Sequence, residues 1–282
     1  MKLSLLIPVL NFEETLPEVI ASIRRLPGGE AHEILVVFDV TSPDWQVKVD
    51  QVRSDLADRF GVRSLVRTRE RGFGSALRAA ATAATGDLVM PIMGDLSDDL
   101  AVIPEMMRKI EAGADVVVGA RYIKGGGIVG NTIKQRISRG YSLLASLLTD
   151  IGCGGITNSF KMYRREIWPA VAPRAESFDL SAELVVKAAA LGYRIDQVPA
   201  TWVNRQAGRS SFRFYRELSS YGRWLALAVL WTPSRWVVLA GLGLPLVTRR
   251  IARSLLLKRP PASQTLDAAT GGSQLTPRSP KR

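Results

Sequence analysis

The stretch Leu88-Val89-Met90-Pro91-Ile92-Met93-Gly94-Asp95-Leu96-Ser97-Asp98-Asp99 decides the fold. An unbroken apolar run that ends in a Gly-Asp turn and an acidic cluster reads as a strand buried on both faces, with polar groups delivered at its carboxyl end. Working backwards, Arg71-Gly72-Phe73-Gly74-Ser75-Ala76-Leu77 opens a helix that continues through an alanine-rich stretch to Gly86. Val62–Val66 is a strand reached through a polar helix over about 44–60. Glu33-Ile34-Leu35-Val36-Val37-Phe38 is a further strand ending at Asp39, and residues 3–9 form the first. After that first strand, Phe12, Leu16, Val19, Ile20 and Ile23 recur at helical spacing, with Asn11 placed to cap the helix and Glu14 to return the contact.

Working forwards, a helix from about Ala101 to Glu111 leads into the strand Asp115-Val116-Val117-Val118-Gly119. Strand alternating with helix predicts an α/β fold, a Rossmann-like, mostly parallel sheet flanked by helices. Ligands of such sheets bind at the carboxyl ends of the strands, where Asp39, Asp95 and Gly119-Ala120-Arg121-Tyr122 fall. The four glycines within 124–131 predict a mobile loop. Helices over about 132–148 and 179–191 follow, the second holding Glu183 and Lys187 in i,i+4 order, and then a strand at Tyr193–Pro199.

Acids at strand ends suit a divalent ion holding a diphosphate, because hard cations take carboxylate oxygens and leave positions for phosphate and water. Asp95 is the first ligand candidate and Asp98 or Asp99 the second; a solvated helix N-terminus accounts for the latter two equally. Asp39 suits a base or ribose, or simply a turn. The Gly72–Gly74 turn lacks the dinucleotide spacing, and a close helix–sheet approach would explain it. Arg121, Arg136, Arg205 and Arg209 suit phosphate, whereas Arg139 reads as a solvated surface group. Glu183 is either a surface helix former or an active-site carboxylate. His32 is the one histidine, which excludes histidine zinc sites and a Ser-His-Asp triad.

The chain has 282 residues, 46% of them hydrophobic, enough for a substantial core, and a net charge of +12 that favours anionic partners. From Arg249 onward eight basic residues face one acid, Asp267, so this end carries seven of the twelve charges. Cys153 is alone, so no intrachain disulfide forms and a reduced, cytoplasm-facing location is expected. Between Tyr221 and Leu257, Trp224, Trp231 and Trp236 sit among aliphatic residues. The longest uncharged run, Trp236–Thr248, is 13 residues, whereas a span needs about 20. This predicts short amphipathic or re-entrant helices on an anionic membrane surface, followed by a disordered basic tail. The expected organisation is a catalytic domain over 1–220, membrane-associated helices over 221–257 and the tail over 258–282. Charge concentrated in a tail beside tryptophan-rich apolar stretches argues for lipid and against nucleic acid.

These motifs, in this order, resemble the family 2 glycosyltransferases of GT-A fold, and among them the dolichol- or polyprenyl-phosphate sugar transferase branch. Leu5–Glu14 is similar to the family's opening "IPxxNExxxL", which implies that Pro8, Asn11 and Glu13 meet the nucleotide. Ile34–Asp44 resembles "VVDDGSPD", with Asp39 on the second aspartate and Phe38 on the first. Gly72 and Gly74 match the family's glycine turn, and Gly119–Tyr122 resembles "GSRY". The Asp-x-Asp metal motif aligns with Met93-Gly94-Asp95, keeping one aspartate. "DPTSGFK" appears as Gly155–Lys161 without its aspartate, and Arg205–Phe212 resembles "RxxGxSKF".

The resemblance implies transfer, with inversion, of a sugar from a nucleoside diphosphate-sugar donor to a polyprenyl phosphate or related lipid-linked acceptor at a membrane. Asp95 and Asp98 would hold Mg2+ or Mn2+. Asp95, Arg121 and Glu183 would be catalytic, with Arg121, Arg136, Arg205 and Arg209 on the acceptor or phosphate. Two alternatives stand beside it: a transferase acting on a non-lipid saccharide acceptor, and a catalytically weakened nucleotide-binding scaffold at a membrane.

Overall fold

Strand β1 (Leu3–Leu10) alternates its side chains between two cores. Leu3, Leu5, Ile7 and Val9 enter one, and Leu6 the other. Strand β2 (Glu33–Asp39) does the same, with Ile34, Val36 and Phe38 against Leu35 and Val37. The two faces belong to a seven-stranded sheet that includes β3 (Arg63–Arg67), β4 (Leu88–Pro91), β5 (Val116–Ala120), and two later strands discussed below. The computed structural model describes residues 1–69, 71–130, 133–148, 151, 153–204 and 214–231.

One face is covered by α1 (Leu16–Arg24), α2 (Pro43–Phe60) and α4 (Ile103–Glu111), and the other by α3 (Phe73–Ala83) with the helices that follow β5. These are α5 (Ile133–Leu148), α6 (Ile167–Val171), α7 (Leu180–Ala190) and α8 (Phe214–Trp231). Helix α3 buries Ala76, Ala80 and Ala81, and side chains this small let its backbone lie close to β1 and β2.

The sheet order is β3-β2-β1-β4-β7-β5-β8, with β7 (Lys161–Arg164) antiparallel to both neighbours and β8 (Ile195–Pro199) parallel to β5. A second sheet pairs β6 (Gly127–Val129) with β9 (Thr201–Val203) in parallel. The glycine-rich stretch expected to be mobile therefore contains a strand, because Thr201–Val203 supplies it a backbone partner. The helix over 12–23 also starts later than expected. Asn11 adopts a left-handed φ of 58° and does not cap α1, whose N-cap is Thr15.

Candidate active site

The chain lays β1, β2 and β3 outward in one direction and then places β4 on the other side of β1. That reversal opens a crevice at the carboxyl ends of β1 and β4. Pairing with β4 ends at Leu6, so Pro8 lies where β1 borders β2 alone. Past β1, the Asn11 N–H donates to the Asp39 carbonyl at 2.9 Å, while its Oδ1 accepts from the Thr41 N–H at 2.8 Å. Asn11 thus ties the loops after β1 and β2. Across the crevice, Thr15 Oγ1 donates to the Gly94 carbonyl at 2.7 Å, and Glu13 packs beside Gly94.

Asp39 is buried at the end of β2. Its Oδ2 accepts from the Gly72 N–H at 2.8 Å, and its Oδ1 faces Arg67 Nε at 3.3 Å. Burial pushes this carboxyl above its usual range, outweighing the Gly72 hydrogen bond and Arg67. The Gly74 N–H donates to the Glu176 carbonyl at 2.8 Å, and a Cβ at Gly72 would come within 2.7 Å of that same oxygen. A Cβ at Gly74 would collide with the Ala175 carbonyl. Both glycines therefore permit close approach to the 174–176 segment, and both amides are occupied within the protein.

The loop after β4 is held at several points. Asp95 Oδ1 accepts from the Ser97 N–H at 3.2 Å, Asp98 Oδ2 from the Met93 N–H at 2.8 Å, and Asp99 Oδ2 from the Thr201 N–H at 3.0 Å. Leu96 takes a left-handed φ of 60°, an uncommon conformation for a γ-branched side chain. Burial, reinforced by the neighbouring Asp95 charge, lifts the Asp98 carboxyl to about 7 despite its Met93 hydrogen bond. Among the described residues no group of three or more His, Cys, Asp or Glu is placed to hold a metal ion. The donor set fits an ion bound through one or two carboxylates with the remaining positions taken by diphosphate and water, the usual manner of Mg2+.

Arg121 lies at the end of β5, its guanidinium 5.9 Å from the Tyr122 ring and 5.6 Å from the Trp202 ring. Its Nε is buried with no hydrogen-bond partner among the described residues. Burial lowers its pKa, while Asp98 favours the charge. Because β7 runs backwards, its first residue, Lys161, also reaches this edge. Lys161 is fully buried and donates to the Ile156 carbonyl at 3.1 Å and to the Asn158 carbonyl. Burial, together with the nearby Arg121 charge, lowers its ammonium to about 7. Asn158 Nδ2 donates to the Gly119 carbonyl at 2.6 Å. The sequence reading gave no role to Lys161, Asn158, Arg67 or Trp202. Both Lys161 and Asn158 lie within Gly155–Lys161, the stretch that resembles "DPTSGFK", and the four residues Lys161–Arg164 carry no apolar run that would mark a strand.

Glu183 does not face the crevice. It is 1% exposed, accepts from the Arg174 and Ala175 N–H groups at 2.8 and 2.7 Å, and pairs with Lys187 Nζ at 2.5 Å. Its carboxylate organises the segment that presses on Gly72 and Gly74. Arg139 is exposed. The Arg136 side chain and the whole of Arg205 and Arg209 lie outside the described residues, as do residues 232–282 with the expected tail.

A mixed sheet of this order, with acids and an arginine at its switch point, is the arrangement of GT-A glycosyltransferases. Residues 4–169, more than half of the chain, match the model of Glycosyl transferase family 2, and the chain belongs to that family. A dolichol-phosphate mannosyltransferase of Pyrococcus furiosus is 28% identical over 235 residues, 79% of this chain, and the chain spans 64% of that relative's length. Glucosyl-3-phosphoglycerate synthase of Mycobacterium tuberculosis shares the fold at 22% identity. Its UDP complex covers 86% of this chain and 81% of that one with a TM-score of 0.56. Its complex with Mn2+, UDP-glucose and phosphoglyceric acid aligns with the same TM-score, covering 86% and 80%.

The expected place in the dolichol- or polyprenyl-phosphate branch is corrected on this point. Several of the solved neighbours carry phosphoglyceric acid, a small acid without a lipid chain. The lipid-linked acceptor, the anionic membrane surface as partner and the membrane-associated, cytoplasm-facing location are withdrawn with it. Among the described residues no helix is long and apolar enough to cross a membrane, and α8 crosses the expected boundary at 220. Trp224, expected at a membrane surface, is buried against the core together with Tyr221 and Ala228. The Trp224 indole N–H donates to Asp179 Oδ2 at 3.1 Å.

Proposed function

We propose that the protein transfers a glycosyl group from a nucleoside diphosphate-sugar to a small non-lipid acceptor bearing anionic groups. The observation that carries this reading is Arg121, a desolvated cation at the carboxyl edge whose buried Nε has no partner among the described residues. A fixed donor of this kind suits an anionic oxygen, and it acts most strongly on the negative charge that grows on a departing diphosphate. The phosphoglyceric acid and UDP-glucose complexes of the solved neighbours support a saccharide-like or hydroxy-acid acceptor.

Asn11, Glu13 and Asp39 line the nucleoside end of the crevice, with Pro8 behind them. Asp95 would hold Mg2+ or Mn2+, with Asp98 beside it, and the ion would act as a Lewis acid on the diphosphate. The Mn2+ and Mg2+ complexes of the neighbours support this. Arg121 binds the phosphate side, and Glu183 acts at a distance by fixing the 174–176 segment.

The test is a screen of the full chain with UDP-, GDP- and other nucleotide-sugars against phosphoglycerate, other hydroxy acids and simple saccharides, with and without Mn2+. Product is read by mass spectrometry. Arg121→Ala is expected to lower kcat by about 100- to 1000-fold with the fold intact. No nucleoside diphosphate released under any pairing would overturn the reading in favour of a nucleotide-binding domain without turnover. The single carboxylate of Met93-Gly94-Asp95 is the observation behind that second reading.

A further inference from the structure

At the opposite, amino edge of the sheet, where β4 begins and β7 ends, lies a groove of about 670 Å3. That volume is within the range of small-molecule sites. Three arginines line it from different elements: Arg78 from α3, Arg164 from the end of β7, and Arg165 just beyond.

Two of the three are anchored. Arg164 faces Asp115 at 3.3 Å and donates to the Ile110 carbonyl at 2.9 Å, and Arg78 Nη1 donates to the Ala175 carbonyl. Arg165 is exposed, and no side-chain partner is formed by it among the described residues. Of the two acids on the wall, Asp87 accepts the Lys2 N–H at 2.8 Å and Glu166 is exposed at the rim.

Trp168 also lines the groove. Its Nε1–H is buried and has no hydrogen-bond partner among the described residues. Buried donors are almost always paired, and an unpaired one beside an arginine-lined groove asks for an acceptor. Arg78 and Arg164, fixed by backbone carbonyls and in the second case also by Asp115, together with the open Arg165 and a neutral N–H donor, offer a receptor for phosphate oxygens.

We propose that this groove binds a small phosphate-bearing metabolite, at a site separate from the transferase crevice on the other edge of the sheet. Arg165 supplies the open cation, Arg78 and Arg164 the fixed ones, and the Trp168 indole a hydrogen bond.

The test uses the full chain, 15N-labelled at tryptophan and titrated with inorganic phosphate, with the Trp168 indole signal assigned through Trp168→Phe. A saturable shift of that signal is expected, weakened at least tenfold in affinity by Arg165→Glu and unchanged by Arg121→Ala. Arg165 is exposed, so its replacement leaves the core intact. A Trp168 signal that does not respond would overturn the proposal, and so would a response abolished by Arg121→Ala but kept in Arg165→Glu, which would place the phosphate in the transferase crevice.

Discussion

Glu33, the first residue of β2, gathers three donors in a buried position: Ser4 Oγ, the Thr85 N–H and the Arg63 guanidinium. Burial by itself would raise its pKa, but these hydrogen bonds prevail and bring it from 4.5 to about 2. A carboxylate with a depressed pKa adds stability that is complete above its unfolded value and is lost as pH falls through the folded one. Acid unfolding of Glu33→Gln should therefore be flatter than wild type between pH 4.5 and about 2, as read by circular dichroism across that range. An unchanged acid limb would show that these donors do not favour the charged form.

At the scale of the element, α7 displays what sequence could and could not reveal. Its limits and the i,i+4 spacing of Glu183 and Lys187 were legible, because helical periodicity is local. Their burial was not, because it depends on α6, α8 and the 174–176 segment arriving from elsewhere in the chain. Removing one member of a buried pair strands the other charge, so Glu183→Ala should lose about 3–5 kcal/mol in urea denaturation. Glu183→Gln should be less stable than wild type but keep near-normal kcat in its folded fraction. A folded Glu183→Gln without turnover would instead make this a carboxylate that touches substrate.

The same contrast applies to the strands. β1, β2, β4 and β5 announced themselves as continuous apolar runs, the mark of strands covered on both faces. β7, with lysine, tyrosine and arginine among its four residues, carries no such signal and is recognisable only through its neighbours. The crevice acids and Arg121 were legible because strand ends are legible. Lys161 was not, because its strand was missed.

For the whole molecule, the decisive question is whether the tryptophan-bearing C-terminal helix belongs to the fold. An aromatic residue among aliphatics reads the same whether its partner is lipid or protein, which is why sequence pointed to a membrane. The packing of Tyr221, Trp224 and Ala228 with α7 residues makes α8 part of one of the two cores. Trp224→Ala should then cost about 3–5 kcal/mol and lower the midpoint of a single cooperative transition monitored through the whole domain. Loss of α8 signal ahead of the rest would instead mark it as an appendage.

The reversed strand β7 has a consequence for how such a protein can change. β5 leaves the sheet at Ala120 and β7 re-enters at Lys161 on the same edge, beside it. Residues 121–160, between them, form an excursion that starts and finishes at the carboxyl edge of the sheet, at Arg121 and beside Lys161. Insertions or deletions there, outside Arg121 and β6, would alter the walls at the carboxyl edge without moving any strand of the seven-stranded sheet. The scaffold thus carries a cassette in its middle, through which specificity can drift while the donor half stays fixed.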